Sequence, residues 1–212
     1  MKHFLSLRSK TYHLVFKSMK KSEITRQYIL EKAFELIYAN GYQATSIDKI
    51  IETTSVTKGA FFYHFKNKEE MGLAMIKEVI GPRFDQALIA PIRDTNDAPQ
   101  KIYETISSFM LGISEVQIKN GCPTNNLIQE MAPINEKFKN ALKDILYRWK
   151  KEIEQALHRA ADMGKIKHHN FDEVATFIVC SYEGTRGIGK IHQDRAFYRI
   201  FLNQLKHFLD TL

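Results

Sequence analysis

A chain of 212 residues with 44% apolar and 26% charged residues has the make-up of an ordinary globular protein, long enough for one large domain or two small ones. No apolar run approaches the roughly 18 residues that a membrane-spanning helix needs, which excludes that class. The formal charge of +7 does not by itself indicate a nucleic-acid partner, because Lys2, Arg8, Lys10 and Lys17 lie in an acid-free start and Lys21 to Ile80 balances to zero.

In chain order, residues 1–19 form a basic stretch without a long apolar segment or a small-residue cleavage site. It reads as a disordered basic arm, or as sequence upstream of a true initiator at Met19. Ile24, Tyr28, Ala33, Phe34 and Ile37 then follow a helical period that stops at Asn40-Gly41. Thr45 or Ser46 can cap a short helix carrying Ile47, Ile50 and Ile51, and a polar break precedes Thr57, which can cap the next.

That next segment, TSVTKGAFFYHFKNKEE, places five rings in a row. At about 100° per residue, Phe61 and Phe65 share a face and can enter a core. Tyr63 and His64 then point outward beside Lys58 and Lys66, where an amphipathic helix normally carries no rings. Asn67-Lys68-Glu69-Glu70 is a capping-box pattern opening a fourth helix through Met71, Ala74, Met75 and Val79, which Gly81-Pro82 is expected to end.

All five prolines lie between Pro82 and Pro133. Beyond them an apolar stripe runs from Phe138 through Trp149 to Ala160, and two more helices follow at about 171–190 and 195–211. The run FIVC suits a strand in isolation but has no partner nearby. Gly184, Gly187 and Gly189 are poor helix formers that mark a close helix contact or a kink. The fold class expected is all-α.

Two short helices joined by a tight turn, the second opening on small residues and a lysine, read as a helix-turn-helix. Its second helix must enter a major groove about 12 Å wide, N-terminus first. Gly59 and Ala60 allow close approach, Lys58 and Lys68 neutralise phosphates, and Tyr63 and His64 reach phosphates or base edges. The text ILEKAFELIYANGYQATSIDKIIETTSVTKGAFFYHFKNKEEM, within residues 25–75, resembles the N-terminal domain of the tetracycline-repressor (TetR) family of bacterial transcription regulators. The resemblance implies a homodimer that binds a palindromic double-stranded DNA operator and is released by a small-molecule effector. By position it also implies phosphate contacts from Thr45 and Lys68, and a groove-facing set of Thr57, Lys58, Gly59, Ala60, Tyr63 and His64. Ser55 replaces the family's usual turn glycine, which predicts a less comfortable backbone there or a different turn. Phe62 replaces a common Tyr, removing one hydroxyl.

Further on, NGCPTNNLIQEMA, residues 120–132, resembles the subgroup containing the electrophile-sensing repressor of N-ethylmaleimide reductase, and Lys190 in GIGKI matches a lysine that recurs there. Cys122 would gain thiolate character from a helix N-terminus and from Lys190. The plainer reading is an inert residue filling a turn beside Pro123. Phe109, Ile113, Tyr147, Trp149 and Tyr182 are candidates to line an effector pocket, or are simply core.

Cys122 and Cys180 have neither zinc-type nor secreted-disulfide spacing, which points to a reducing cytoplasm. His168-His169 have no partner at metal-ligand spacing, and no phosphate loop, triad or paired carboxylates stand out. No metal, cofactor, membrane or enzymatic activity is expected. The competing class is a small α-helical redox enzyme or thiol protein using Cys122. The domain organisation expected is a basic arm at 1–19, a DNA-reading unit at 20–81, and an effector-binding and dimerisation unit at 82–212.

Overall fold

The computed structural model describes residues 20–167 and 169–212; the expectations for residues 1–19 and for His168 lie outside them. Every regular element among the described residues is helical. The first, α1 (Lys21–Asn40), turns Ile29, Leu30, Ala33 and Ile37 inward. It stops at Gly41, whose φ of +91° lies in a region that strains a side chain.

Three short helices follow, each begun by a side-chain cap. Ser46, not Thr45, caps α2 (Ile47–Glu52) by accepting from the Lys49 N–H at 3.1 Å. Thr57 caps α3 (Lys58–His64) by accepting from the Ala60 N–H at 3.2 Å. Asn67 caps α4 (Lys68–Met75) by accepting from the Glu70 N–H at 2.8 Å. Such caps each contribute about 1 kcal/mol, which matters for helices too short to hold themselves together. Ile50, Phe61, Phe65 and Met71 close the small core against α1.

The helical path does not end at Gly81-Pro82. A π turn at Ile76–Ile80 leads directly into α5 (Gly81–Phe84), and a second π turn spans Asp85–Ile89. Proline ends a helix because it lacks an N–H and crowds the carbonyl four residues back. Here the Gly81 N–H reaches back five residues to the Ile76 carbonyl, so Pro82 falls in the first turn of a fresh α segment, where its missing donor costs nothing.

The remaining helices are α6 (Ala98–Gly112), α7 (Glu115–Asn120), α8 (Pro123–Met131), α9 (Glu136–Asp162), α10 (Phe171–His192) and α11 (Arg195–Leu209). FIVC lies inside α10. The long α9 is the spine, packing on α6, α8 and α10 through Leu142, Trp149, Ile153 and Leu157. Gly189 marks the close helix contact: a Cβ there would sit 2.5 Å from the Tyr198 ring.

Polar contacts tie the first four helices to the rest, among them Arg26 to Glu78 and Glu31 to Arg83. Glu69 on α4 accepts from Asn135 at 2.8 Å and Lys137 at 2.6 Å. Glu130 on α8 accepts from the backbone N–H groups of Tyr42 at 2.8 Å and Gln43 at 2.6 Å. The Tyr38 hydroxyl on α1 donates to the Gly121 carbonyl at 2.7 Å.

Candidate nucleic-acid interface and buried polar cluster

The α3 helix divides as its geometry requires. Phe61 and Phe65 are fully buried, and Arg26 lies over the Phe65 ring at 4.7 Å. On the other side Tyr63 is 77% exposed, and a Cβ on Gly59 would meet open space. Ala60 and His64 are half-buried at the margins. Thr57 accepts the cap hydrogen bond and keeps its hydroxyl proton to donate. Lys58 pairs with Asp48 at 3.1 Å, both well exposed; such a pair is weak and readily exchanged for a phosphate. Burial, and then the nearby Arg26 charge, lower the pKa of His64, so at neutral pH it acts as a hydrogen-bonding ring more than as a cation.

Lys68 opens α4 with its ammonium over the Tyr42 ring at 4.3 Å and donates to the Gln43 carbonyl at 3.3 Å. Burial lowers its pKa against the opposing pull of Glu130. Thr45 departs from expectation. It is fully buried, and its hydroxyl donates to the Gly41 carbonyl at 2.7 Å, so its side chain braces the turn and is not presented to a phosphate. Ser55 takes the second of its two expected courses, a different turn: the non-glycine residues at positive φ among those described are Asp94 and Gln193, so Ser55 carries no left-handed strain. A side-chain turn, with the Val56 N–H donating to the Thr54 hydroxyl at 3.3 Å, makes the corner instead.

In the second half of the chain, sequence reasoning missed Glu183 and Arg186, which are buried on α10. The available signal was their place in its apolar stripe between Val179 and Gly189. Arg186 donates to the Gly121 carbonyl at 2.7 Å, the same oxygen that Tyr38 uses, and to the Tyr198 hydroxyl at 3.5 Å. The Cys122 thiol donates to Glu183 Oε1 at 3.4 Å, and Asn125 donates to the Glu183 carbonyl at 2.9 Å. Glu183 Oε2, Arg186 Nε, Thr124 Oγ1 and Trp149 Nε1 are buried without a protein partner. Burial pushes the Glu183 carboxyl up to about 7.

This arrangement corrects the expected activation of Cys122. The thiol is buried beside a carboxylate, and Lys190 instead donates to Asn126 Oδ1 at 2.9 Å. Burial, then the Glu183 charge, raise the Cys122 pKa far above the ordinary thiol range; the opposing backbone hydrogen bond at the start of α8 is weaker. Among the pocket candidates, Trp149 and Tyr182 are fully buried and meet edge to face at 5.0 Å. Phe109 lies 6.0 Å from the Arg186 guanidinium, and Ile113 is buried. Tyr147 does not join them: it is half exposed under Lys151 on the outer side of α9, because two residues along a helix turn a side chain to the opposite flank.

Among the described residues no group of three or more His, Cys, Asp or Glu side chains could hold a metal. No described helix is long and apolar enough to cross a membrane.

The family described as bacterial regulatory proteins, tetR family, matches residues 29–75, and the family described as tetracyclin repressor-like, C-terminal domain, matches residues 98–205. An uncharacterized HTH-type transcriptional regulator of Lactococcus lactis is 29% identical over 171 residues, covering 80% of this chain and 85% of that protein. The HTH-type transcriptional repressor DhaR of a Mycobacterium species is 23% identical, covering 80% and 84%. Among solved structures, a TetR-family regulator from Cytophaga hutchinsonii superposes with a TM-score of 0.82 at 21% identity, covering 92% and 98% of the two chains. Reduced NemR of E. coli superposes with a TM-score of 0.73 at 19% identity, covering 86% and 96%, a likeness of fold alone.

Proposed function

The chain belongs to the tetR family of bacterial regulatory proteins and is a DNA-binding transcriptional regulator, not an enzyme; from that premise we propose how it reads DNA and what controls it. The protein acts as a repressor. Two copies pair through α10 and α11, where Phe177, Ile188, Ile191 and Ile200 leave an apolar surface exposed. Each copy sets the N-terminal end of α3 into a major groove, the two half-sites lying about 34–36 Å apart on a palindromic operator. Thr57, Lys58, Gly59, Ala60, Tyr63 and His64 face the groove, and Lys68 neutralises a phosphate.

One observation carries this reading. The face of α3 that holds Gly59 and Tyr63 contributes nothing to the core, while Phe61 in the same helix and Phe65 at its C-cap are fully buried. A fluorescence-anisotropy titration against the protein's own upstream intergenic duplex tests it, at low and near-physiological salt, with a scrambled duplex beside it. Sequence-dependent binding that weakens steeply with salt supports the reading. Equal binding to both duplexes refutes it for that operator.

The reading unit spans about 20–81 and the controlling unit about 82–212, a boundary that falls inside the continuous helical path of α4 and α5. The effector site is the cluster of Cys122, Glu183 and Arg186 roofed by Trp149, Tyr182, Phe109 and Ile113, and the compartment is the cytoplasm. Buried donors and acceptors lacking protein partners favour a polar small molecule there.

A second reading makes Cys122 an electrophile sensor, as in the subgroup its surrounding sequence resembles. Burial beside Glu183 keeps the thiol protonated, so an electrophile would first have to open the cluster. Cys122→Ser should then abolish electrophile-triggered release while leaving operator affinity intact; unchanged release rejects the sensor.

A further inference from the structure

A cleft of about 460 Å³ lies between the DNA-reading helices and α8, outside the buried cluster. Its floor is apolar, with Phe34 and Ile37 from α1 facing Leu127 from α8. Its polar lining includes Lys119 and Lys190, the latter donating to Asn126 at 2.9 Å. We infer that this cleft binds a small amphipathic organic anion, its acidic group held by Lys119 and Lys190 and its apolar body laid between α1 and α8.

The charge balance points to an anion. Neither lysine has a carboxylate within ion-pair distance among the described residues; Lys190 is steadied by the neutral amide of Asn126. The one carboxylate on the rim, Glu130, is already taken by the amides of Tyr42 and Gln43. The cleft therefore presents uncompensated positive charge beside an apolar wall, in the size range of small-molecule sites. Its location gives the ligand leverage. An occupant separates or clamps α1 and α8, and Glu130, the bond between them, holds the residues that lead from α1 into α2. A ligand that differs in affinity between the two spacings shifts DNA affinity, and DNA shifts ligand affinity by the same factor. This inference rests on the regulator reading only for that coupling; the binding site stands on its own geometry.

The probe is 1-anilinonaphthalene-8-sulfonate, an aromatic anion that fluoresces when its rings leave water. It is titrated into the full chain, into the K119Q/K190Q double variant, and into A39W, which places an indole at an exposed α1 position on the cleft wall. Circular-dichroism melts establish that each variant is folded. Loss of the two charge-assisted contacts should weaken probe binding at least about tenfold, and A39W should remove the same saturable component. Probe that bound only the apolar faces of α10 and α11 would respond to neither change. Undiminished affinity in both folded variants, or no saturable binding to the natural chain, overturns the site. Operator anisotropy is read separately, so a failure to bind DNA would count against the α3 reading and leave the probe result to judge the cleft alone.

Discussion

Replacing Glu183 by Gln should raise stability at alkaline pH and leave it nearly unchanged under mild acid. Burial lifts this carboxyl from an ordinary 4.5 to about 7. In the window between those values the folded protein holds a proton that the unfolded chain has released. Stability is therefore fully supported below about 4.5 and is lost as pH rises toward the folded value. A tenfold difference in proton affinity is worth 1.36 kcal/mol, so the natural protein loses on the order of 2.5 kcal/mol from this group between pH 5 and pH 8. Gln keeps the shape and one acceptor for the Cys122 thiol but has no proton to lose. For a domain of this length, thermal melts should place the variant about 5–10 °C above the natural protein at pH 8, relative to the gap at pH 5. Comparing the two proteins at each pH cancels every other titrating group, and protein concentration must be fixed because a dimer melts by mass action. An equal gap at both pH values would refute the reasoning, since it would mean that Glu183 is solvated or paired when ionised.

Gly59→Ala should leave the fold as stable as before or slightly more so, because alanine gains up to about 1 kcal/mol over glycine in a helix and its methyl meets open space. Operator affinity should nevertheless fall roughly tenfold or more, as the methyl intrudes on a close contact with DNA; unchanged affinity in the anisotropy assay would move the interface elsewhere. Alkylation by iodoacetamide followed by peptide mass spectrometry should modify the exposed Cys180 well before the buried Cys122. Labelling of Cys122 at the rate of Cys180 would show that the buried cluster opens freely. Glu130→Ala should destabilise the protein by about 1–3 kcal/mol, the cost of stranding two backbone donors, and should speed hydrogen exchange at Tyr42 and Gln43. Exchange there at the natural rate would mean that water replaces the carboxylate without loss.

What the sequence disclosed was mostly local. Thr57 and Asn67 cap where their spacing to the following amides says they should, and the inside and outside of α3 follow from turning 100° per residue. Features decided by tertiary neighbours were hidden. Thr45 stands where a phosphate contact is expected, but only the folded turn shows that its hydroxyl is claimed by Gly41. Cys122 and Lys190 do approach each other's surroundings, as the Gly121–Lys190 packing shows. Which charge reaches the sulfur depends on the turn of α10, and that turn gives the place to Glu183. Gly81-Pro82 misled because the usual rule for proline assumes an α ladder on both sides. Tyr147 was assigned with Trp149 by composition, although two positions along one helix cannot share a flank.

The two π turns around Pro82 also set where the link between DNA-reading and controlling units can twist. A π turn carries surplus backbone, and re-winding it to α geometry rotates everything beyond it about the axis while each amide still finds a carbonyl. The first π turn is locked, because an α ladder through Pro82 would drive its ring into the Glu78 carbonyl. The second, Asp85–Ile89, contains no proline and ends on an Ala90 N–H donating five residues back to Asp85 at 2.8 Å. The proline constraint therefore falls on the DNA side of the link, while beyond it the second π turn is held by side chains, with Arg148 paired to Asp85 and Leu88 and Ile89 buried.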